Sequence, residues 1–307
     1  MELTPAQQEV LTLLRDGDRP RPEVDPALRL ELRARLEREL GPVANGLTKP
    51  VFVGKAALGR VVACEAHHVA ETAVPFEWSL AAARGTVAHK AIQLSVGRAD
   101  RPAPLRLVDD ALERLADDPT ARIADYLLGL SDAERADLRS SVNELVAGFL
   151  DQWPPLQPAW RPQAESRRRA ELCGGMVILS GTVDLTLGAP NGLVAGRVVV
   201  DLKTGGRHAG HTDDLRFYAL LDTLRSGVPP FRLVGYYLDS GQLAVEDVTE
   251  DVLEVAVRRV VAATTRIVEL TLGLRSPAVT PNPTCRWCRL RDECEGALAW
   301  DASEDPG

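Results

Sequence analysis

The sequence predicts a mixed α/β or α+β protein, and three observations carry that reading. Apolar residues recur at helical spacing through most of the first 150 residues, and β-branched residues rise sharply between Arg167 and Val200. A long amphipathic stretch, Thr249 to Leu272, then leads into a cysteine-bearing tail. No internal repeat is visible at a period of about 20 to 50 residues. With 307 residues, 45% hydrophobic and 26% charged, the chain can bury the core of one large domain or two small ones, which sets aside extended disorder.

The first forty residues read as two helices, one through Val10, Leu13 and Leu14 and one through Leu28, Leu32 and Leu36, separated by the proline-rich piece Arg19 to Pro26. Lys55 to Ala63 is apolar on one helical face and delivers Cys64 and His67 at its end. A helix is expected from Leu80 to Val96, containing Gly85-Thr86-Val87-Ala88-His89, and another from Leu105 to Ala116. Asp132 to Leu150 opens on Ser131, with Glu134 three residues later, the spacing of a capping box. Trp153 to Pro162 carries four prolines in ten residues and marks a linker or an extended entry to a sheet.

Strands are then expected over Gly174 to Leu187 and Arg197 to Leu202, with turn signals from Gly188 to Gly192 between them. A helix from His211 to Leu224, strands over Phe231 to Leu238 and Gln242 to Val248, and the long helix complete the order.

The charge count, 36 Lys plus Arg against 44 Asp plus Glu, gives a net charge of −8, the wrong sign for coating nucleic acid through a general basic surface. It leaves room for a local basic channel beside an acidic, metal-binding centre. Arginine clusters at Arg167, Arg168 and Arg169, at Arg258 and Arg259, and at Arg286, Arg289 and Arg291. Each is either a solvated face or a set of planar forks suited to phosphate. No run approaches 18 apolar residues, and the first thirty residues lack a secretion signal, so a soluble, cytoplasmic protein with no membrane partner is expected.

The most informative stretch is Val198-Val199-Val200-Asp201-Leu202-Lys203-Thr204-Gly205-Gly206. Residues two apart on a strand face the same way, so Asp201 and Lys203 share a site. A carboxylate there can hold magnesium or manganese while the ammonium orients water or offsets phosphate charge. Seventeen residues upstream, Asp184 in Gly181-Thr182-Val183-Asp184 either joins Asp201 across an antiparallel pair or marks a strand edge. His89 is either an imidazole ligand that favours manganese or a hydrogen-bonded helix residue.

Five cysteines without a secretion signal point to metals or catalysis rather than disulfides. Cys285, Cys288 and Cys294 have the spacing of a compact metal centre, iron–sulfur or zinc, with Cys64 as fourth ligand. In the alternative, Cys64 is a core residue and His67 or His68 takes its place. Cys173 reads as a small buried hydrophobe.

Taken in order, Cys64, Gly85-x-x-x-His89, Gly181-x-x-Asp184, Asp201-x-Lys203, a helix ending in Tyr218, and Cys285-x-x-Cys288-x5-Cys294 resemble the PD-(D/E)XK nuclease superfamily. The likeness is to its RecB-like branch with an iron–sulfur staple, which includes CRISPR-associated exonucleases and the AddB nuclease domain. The resemblance spans about residues 50 to 297. It implies a restriction-endonuclease-like core, a central mixed sheet flanked by helices, over 51 to 297, with a helical extension over 1 to 50 and a disordered tail over 298 to 307. It implies a magnesium- or manganese-dependent deoxyribonuclease acting on DNA ends or single strands. His89, Asp184, Asp201 and the backbone carbonyl of Leu202 would bind metal, and Lys203 would position water and stabilise the phosphorane. The four cysteines would hold a structural 4Fe–4S cluster, with zinc as the alternative. Tyr218 and Arg216 would contact substrate, and Trp287 would offer a stacking face. One position departs from the family's Gln-x-x-x-Tyr: Asp214 stands where Gln is usual, and a carboxylate there repels phosphate unless Arg216 or metal pairs with it. That residue and the acidic net charge favour the competing reading, a DNA-binding or scaffold module of the same fold with weak or no cleavage. The sequence has no Gly-x4-Gly-Lys-Ser/Thr motor motif, so unwinding would come from a partner such as a helicase or a CRISPR or repair protein.

Overall fold

The computed structural model describes residues 2–15, 20–98, 102–208 and 210–304. In chain order the elements are α1 (Pro5–Arg15), α2 (Leu28–Ala44), β1 (Val51–Val53), α3 (Lys55–Ala63), α4 (Glu65–Thr72), α5 (Leu80–Ser95), α6 (Pro104–Asp117), α7 (Ala124–Gly129) and α8 (Asp132–Gln152). There follow β2 (Gln163–Leu172), β3 (Val177–Leu187), β4 (Val198–Lys203), α9 (Gly210–Ser226), β5 (Arg232–Tyr237), β6 (Gln242–Asp247), α10 (Glu250–Thr271) and α11 (Glu295–Glu304). The chain forms two compact units, one of residues 1–26, 78–168 and 182–249, the other of residues 27–77, 169–181 and 250–307.

The first unit holds the mixed sheet that the sequence predicts. The second half of β3 runs antiparallel to β4, which is parallel to β5, which is antiparallel to β6. β4 and β5 are buried on both faces, as their unbroken apolar runs require, whereas β6 is a half-exposed edge bearing Glu246 and Asp247. α9 lies on β4 and β5, and α5, α6 and α8 pack against one another. The α8 start has the expected box: the Ser131 hydroxyl accepts from the Glu134 N–H, and the Glu134 carboxylate accepts from the Ser131 N–H. Between β3 and β4 the chain turns at Gly188, φ 76°, where a β-carbon would lie 2.3 Å from the Gly196 carbonyl oxygen. Only glycine fits.

In the second unit α2 and α3 pack on α10, and β1 pairs parallel with the first half of β3. The β2–β3 hairpin turns through Cys173, Gly174 and Gly175, all at positive φ. Cys173 is therefore half-buried in a turn, its N–H donating to Glu37, rather than the fully buried hydrophobe expected. Burial and then Glu37 push its thiol up to about 11, which makes it an unreactive thiol at neutral pH.

Several elements differ from expectation. The strand expected from Gly174 starts at Val177, after the turn, and β1, β2, α4, α7 and α11 were not foreseen. The two N-terminal helices belong to different units: α1 is held to α8 by Gln7, whose amide donates to the Asp151 carbonyl, and α2 lies on α10. α11 runs through much of the stretch expected to be unstructured, while residues 305–307 lie outside the described residues, as does residue 19 of the proline-rich piece. No described helix is long and apolar enough to cross a membrane.

β2 alternates between exposed and buried positions, but one inward residue is Arg168, whose Nε donates to Asp222 at 2.8 Å. Arg197 pairs with the other oxygen of the same buried carboxylate. Removing one member of such a network strands a buried charge. Asp222→Ala is expected to lower unfolding stability by about 3–5 kcal/mol in urea denaturation, with Arg225→Ala, an exposed neighbour, near neutral.

Candidate active site

The site is built where β3 and β4 meet. Their antiparallel register pairs Leu185 with Val200, and one further step sets Asp184 opposite Asp201. Both carboxylates are buried, Asp201 completely. The Leu202 N–H donates to Asp184 Oδ2 at 2.7 Å, fixing that carboxylate. Lys203 shares the face of Asp201, as period-two geometry dictates, with its Nζ 2.7 Å from Asp201 Oδ2.

His89 arrives from α5. Ser79 caps this helix by accepting from the Ala82 N–H, and Gly85 lets it approach the end of β4. A β-carbon at Gly85 would lie 3.0 Å from Thr204 Oγ1. One turn later His89 Nε2 donates to the Leu202 carbonyl at 3.0 Å, which leaves Nδ1 facing Asp184 Oδ1 at 3.3 Å and Glu165 Oε1 at 3.9 Å. The ligand atoms of His89, Glu165 and Asp184 lie within 4.8 Å of one another, the one such trio among the described residues. Burial by itself lowers the His89 pKa. The Asp184 charge and hydrogen bond, with the charges of Glu165 and Asp201, outweigh it and hold the imidazole at about 9.

The geometry redistributes the expected roles. Glu165 was not anticipated, because it lies in β2, a strand that apolar patterning did not reveal; it sits at φ 50°, a left-handed conformation that turns its side chain out of the strand's regular alternation. Asp201 faces Lys203 rather than joining the trio, and the Leu202 carbonyl accepts from His89. Asp214 pairs with Lys203, at 3.1 Å, instead of with Arg216. Arg216 forks onto Glu246 and lies near Asp213. Tyr218 is buried, and its hydroxyl donates to the Thr182 carbonyl at 2.6 Å, pinning α9 to β3. The two residues read as substrate contacts are thus engaged within the fold.

In the other unit, Cys64 sits between α3 and α4, where its Sγ accepts from the Thr280 N–H at 3.5 Å. Cys285 Sγ accepts from the Asn282 N–H at 3.4 Å. The Cys288 thiol is pushed up by burial and then by the charges of Cys285, Cys64 and Cys294. His67 and His68 are both held below the usual imidazole value by burial, so they remain neutral. Trp287 is exposed.

A cation bound at His89 Nδ1 must displace a proton that the metal-free site holds up to about pH 9. Apparent manganese affinity, measured by calorimetry, is therefore expected to rise roughly tenfold per pH unit between about pH 6.5 and 8.5. His89→Gln should flatten that dependence and weaken binding.

A family model described as the PD-(D/E)XK nuclease superfamily matches residues 56–295. Among solved structures, one from Eubacterium rectale, assigned provisionally as an exonuclease, is 13% identical with a TM-score of 0.49, covering 89% of this chain and 93% of that one. Another, of the protein SSO0001, is 15% identical with a TM-score of 0.34, covering 69% of this chain and 95% of that one. No curated protein matches significantly. The family match takes in β3, β4 and every residue of the site just described, and the chain belongs to the PD-(D/E)XK nuclease superfamily.

Proposed function

We propose that the protein is a magnesium- or manganese-dependent deoxyribonuclease of the RecB-like branch, hydrolysing phosphodiester bonds at DNA ends or in single strands, with a structural 4Fe–4S cluster. The observation that carries this reading is the convergence of His89, Glu165 and Asp184 within 4.8 Å beside a lysine held on a buried carboxylate. Two carboxylates and one imidazole suit a hard divalent cation, with the imidazole favouring manganese. His89 is oriented for that task, since its Nε2–H is committed to the Leu202 carbonyl and Nδ1 faces the carboxylates. A cation held there would polarise a phosphoryl oxygen and lower the pKa of a coordinated water.

The chain's own residues do the rest. Asp184 is fixed by the Leu202 N–H, so its orientation does not depend on substrate. Lys203 lies between Asp201 and Asp214, within ion-pair distance of both. Of its three donors, one is hydrogen-bonded to Asp214, and another can turn to a phosphate oxygen as its charge grows. Lys203→Ala is expected to cut manganese-dependent digestion of end-labelled single-stranded DNA by at least about 100-fold while leaving oligonucleotide binding within a few-fold.

Asp214 supports a second reading. Two carboxylates on one ammonium leave the pair net negative, which opposes an incoming phosphate and suits a binding module that cleaves weakly. Native protein that binds the same oligonucleotide but leaves it intact in manganese would decide for this module.

For the cysteines, the 4Fe–4S assignment is supported by spacing. Backbone N–H groups directed at Cys64 and Cys285 fit anionic sulfur. Cys64→Ser is expected to yield colourless protein with less than half the iron and sulfide of native protein after anaerobic purification; stoichiometric zinc in native protein would replace the cluster.

A further inference from the structure

Beside His89 lies a polar cleft of about 490 Å³ within the first unit, between α5, α6 and β2. Its walls carry two cations, Lys90 and Arg167, together with Thr86 and Gln93, while Leu115 is the apolar contact. Each cation is a near neighbour in sequence of a trio member on the same element: Lys90 follows His89 on α5, and Arg167 lies two residues after Glu165 on β2.

Arg167 differs from the arginines around it. Arg168 is buried against Asp222, and Arg84 and Arg216 are paired with Asp239 and Glu246. Among the described residues no carboxylate lies within ion-pair distance of the Arg167 guanidinium or the Lys90 ammonium. The charge of Lys90 is felt by Asp118, at the end of α6. Glu165, the acidic group in the cleft, belongs to the metal-binding trio. A wall with two uncommitted cations next to a cation-binding trio suits a chain of phosphates, one at the trio and the next against the wall.

We infer that this cleft seats the nucleotide adjoining the scissile phosphate of a single DNA strand, with Lys90 and Arg167 as its phosphate-binding residues. Its volume falls in the range of small-ligand pockets. A cleft of this volume suits one nucleotide of a strand rather than a base-paired duplex. Leu115 meets the sugar or base face, so recognition is of backbone and shape and carries little sequence preference. The inference rests on the nuclease reading and names the strand form that the site accepts.

The test uses the full chain and a fluorescein-labelled twenty-nucleotide oligo-dT. Binding is followed by anisotropy in manganese on a Lys203→Ala background, over a series of potassium chloride concentrations. Each phosphate contact to a single strand contributes about 0.7 to the slope of log affinity against log salt. Lys90→Gln with Arg167→Gln is therefore expected to weaken binding at least tenfold and to flatten the slope by about 1.4. The charge-conserving pair Lys90→Arg with Arg167→Lys should restore most of that slope, an outcome that a merely structural role would not give. In the native background the Gln pair should raise KM at least tenfold and change kcat less than about threefold. Binding of a blunt duplex should change less than twofold.

An unchanged slope and KM in the Gln pair, with native cleavage intact, overturns the inference and leaves the nuclease reading standing. Equal losses for duplex and single strand overturn the single-strand assignment. Native protein that neither binds nor cuts the oligonucleotide in manganese overturns the nuclease reading itself.

Discussion

The site depends on one register. β3 and β4 are offset so that Asp184 and Asp201 fall opposite each other, and a slip of a single residue would turn one of the two carboxylates to the other face of the sheet. Leu202 converts that register into a functional geometry. Its N–H holds Asp184 and its carbonyl holds His89, so a residue with no chemistry of its own orients two side chains from different elements. On the other side, parallel pairing to β5 keeps β4 in place, Asp201 beside Gly235 and Leu202 beside Tyr236. The loop that returns the chain from β3 to β4 is constrained as tightly, since Gly188 and Gly196 approach too closely for any side chain.

Charge is organised locally in a protein whose net charge is −8. The run Arg167-Arg168-Arg169 shows how little a cluster in sequence says about one in space. Arg168 turns inward to a buried carboxylate, Arg169 pairs with Glu171 at the surface, and Arg167 lines a cleft. The acidic excess therefore coexists with a cleft whose walls carry Lys90 and Arg167, because the field near a cleft is set by its own walls rather than by the total.

Much of this was legible in the sequence. Asp201 and Lys203 on one face follow from period-two geometry, and the pairing that brings Asp184 to Asp201 follows from two apolar runs joined by a glycine-rich turn. The Ser131 cap was readable from spacing. β2 was not, and the reason is physical: its inward positions include an arginine whose charge is neutralised by Asp222, so its alternation does not appear as apolar against polar. Missing β2 meant missing Glu165. The engagement of Tyr218 and Arg216 was equally hidden, because their partners, Thr182 and Glu246, lie on separate strands whose proximity is a tertiary fact.

The seam around Cys64 bears on how the chain comes into being. Ala63, Cys64 and Glu65 take hydrogen bonds from residues 278 to 282, so α3 and α4 complete their polar contacts only with a segment more than two hundred residues further on. At a synthesis rate of about 5–20 residues per second, that interval is roughly 10–40 s on the ribosome. Helices that form in under a microsecond or so would wait through it. These contacts of the second unit thus close late, while part of the first, whose α5, α6 and α8 are near in sequence as well as in space, is free to assemble as it emerges.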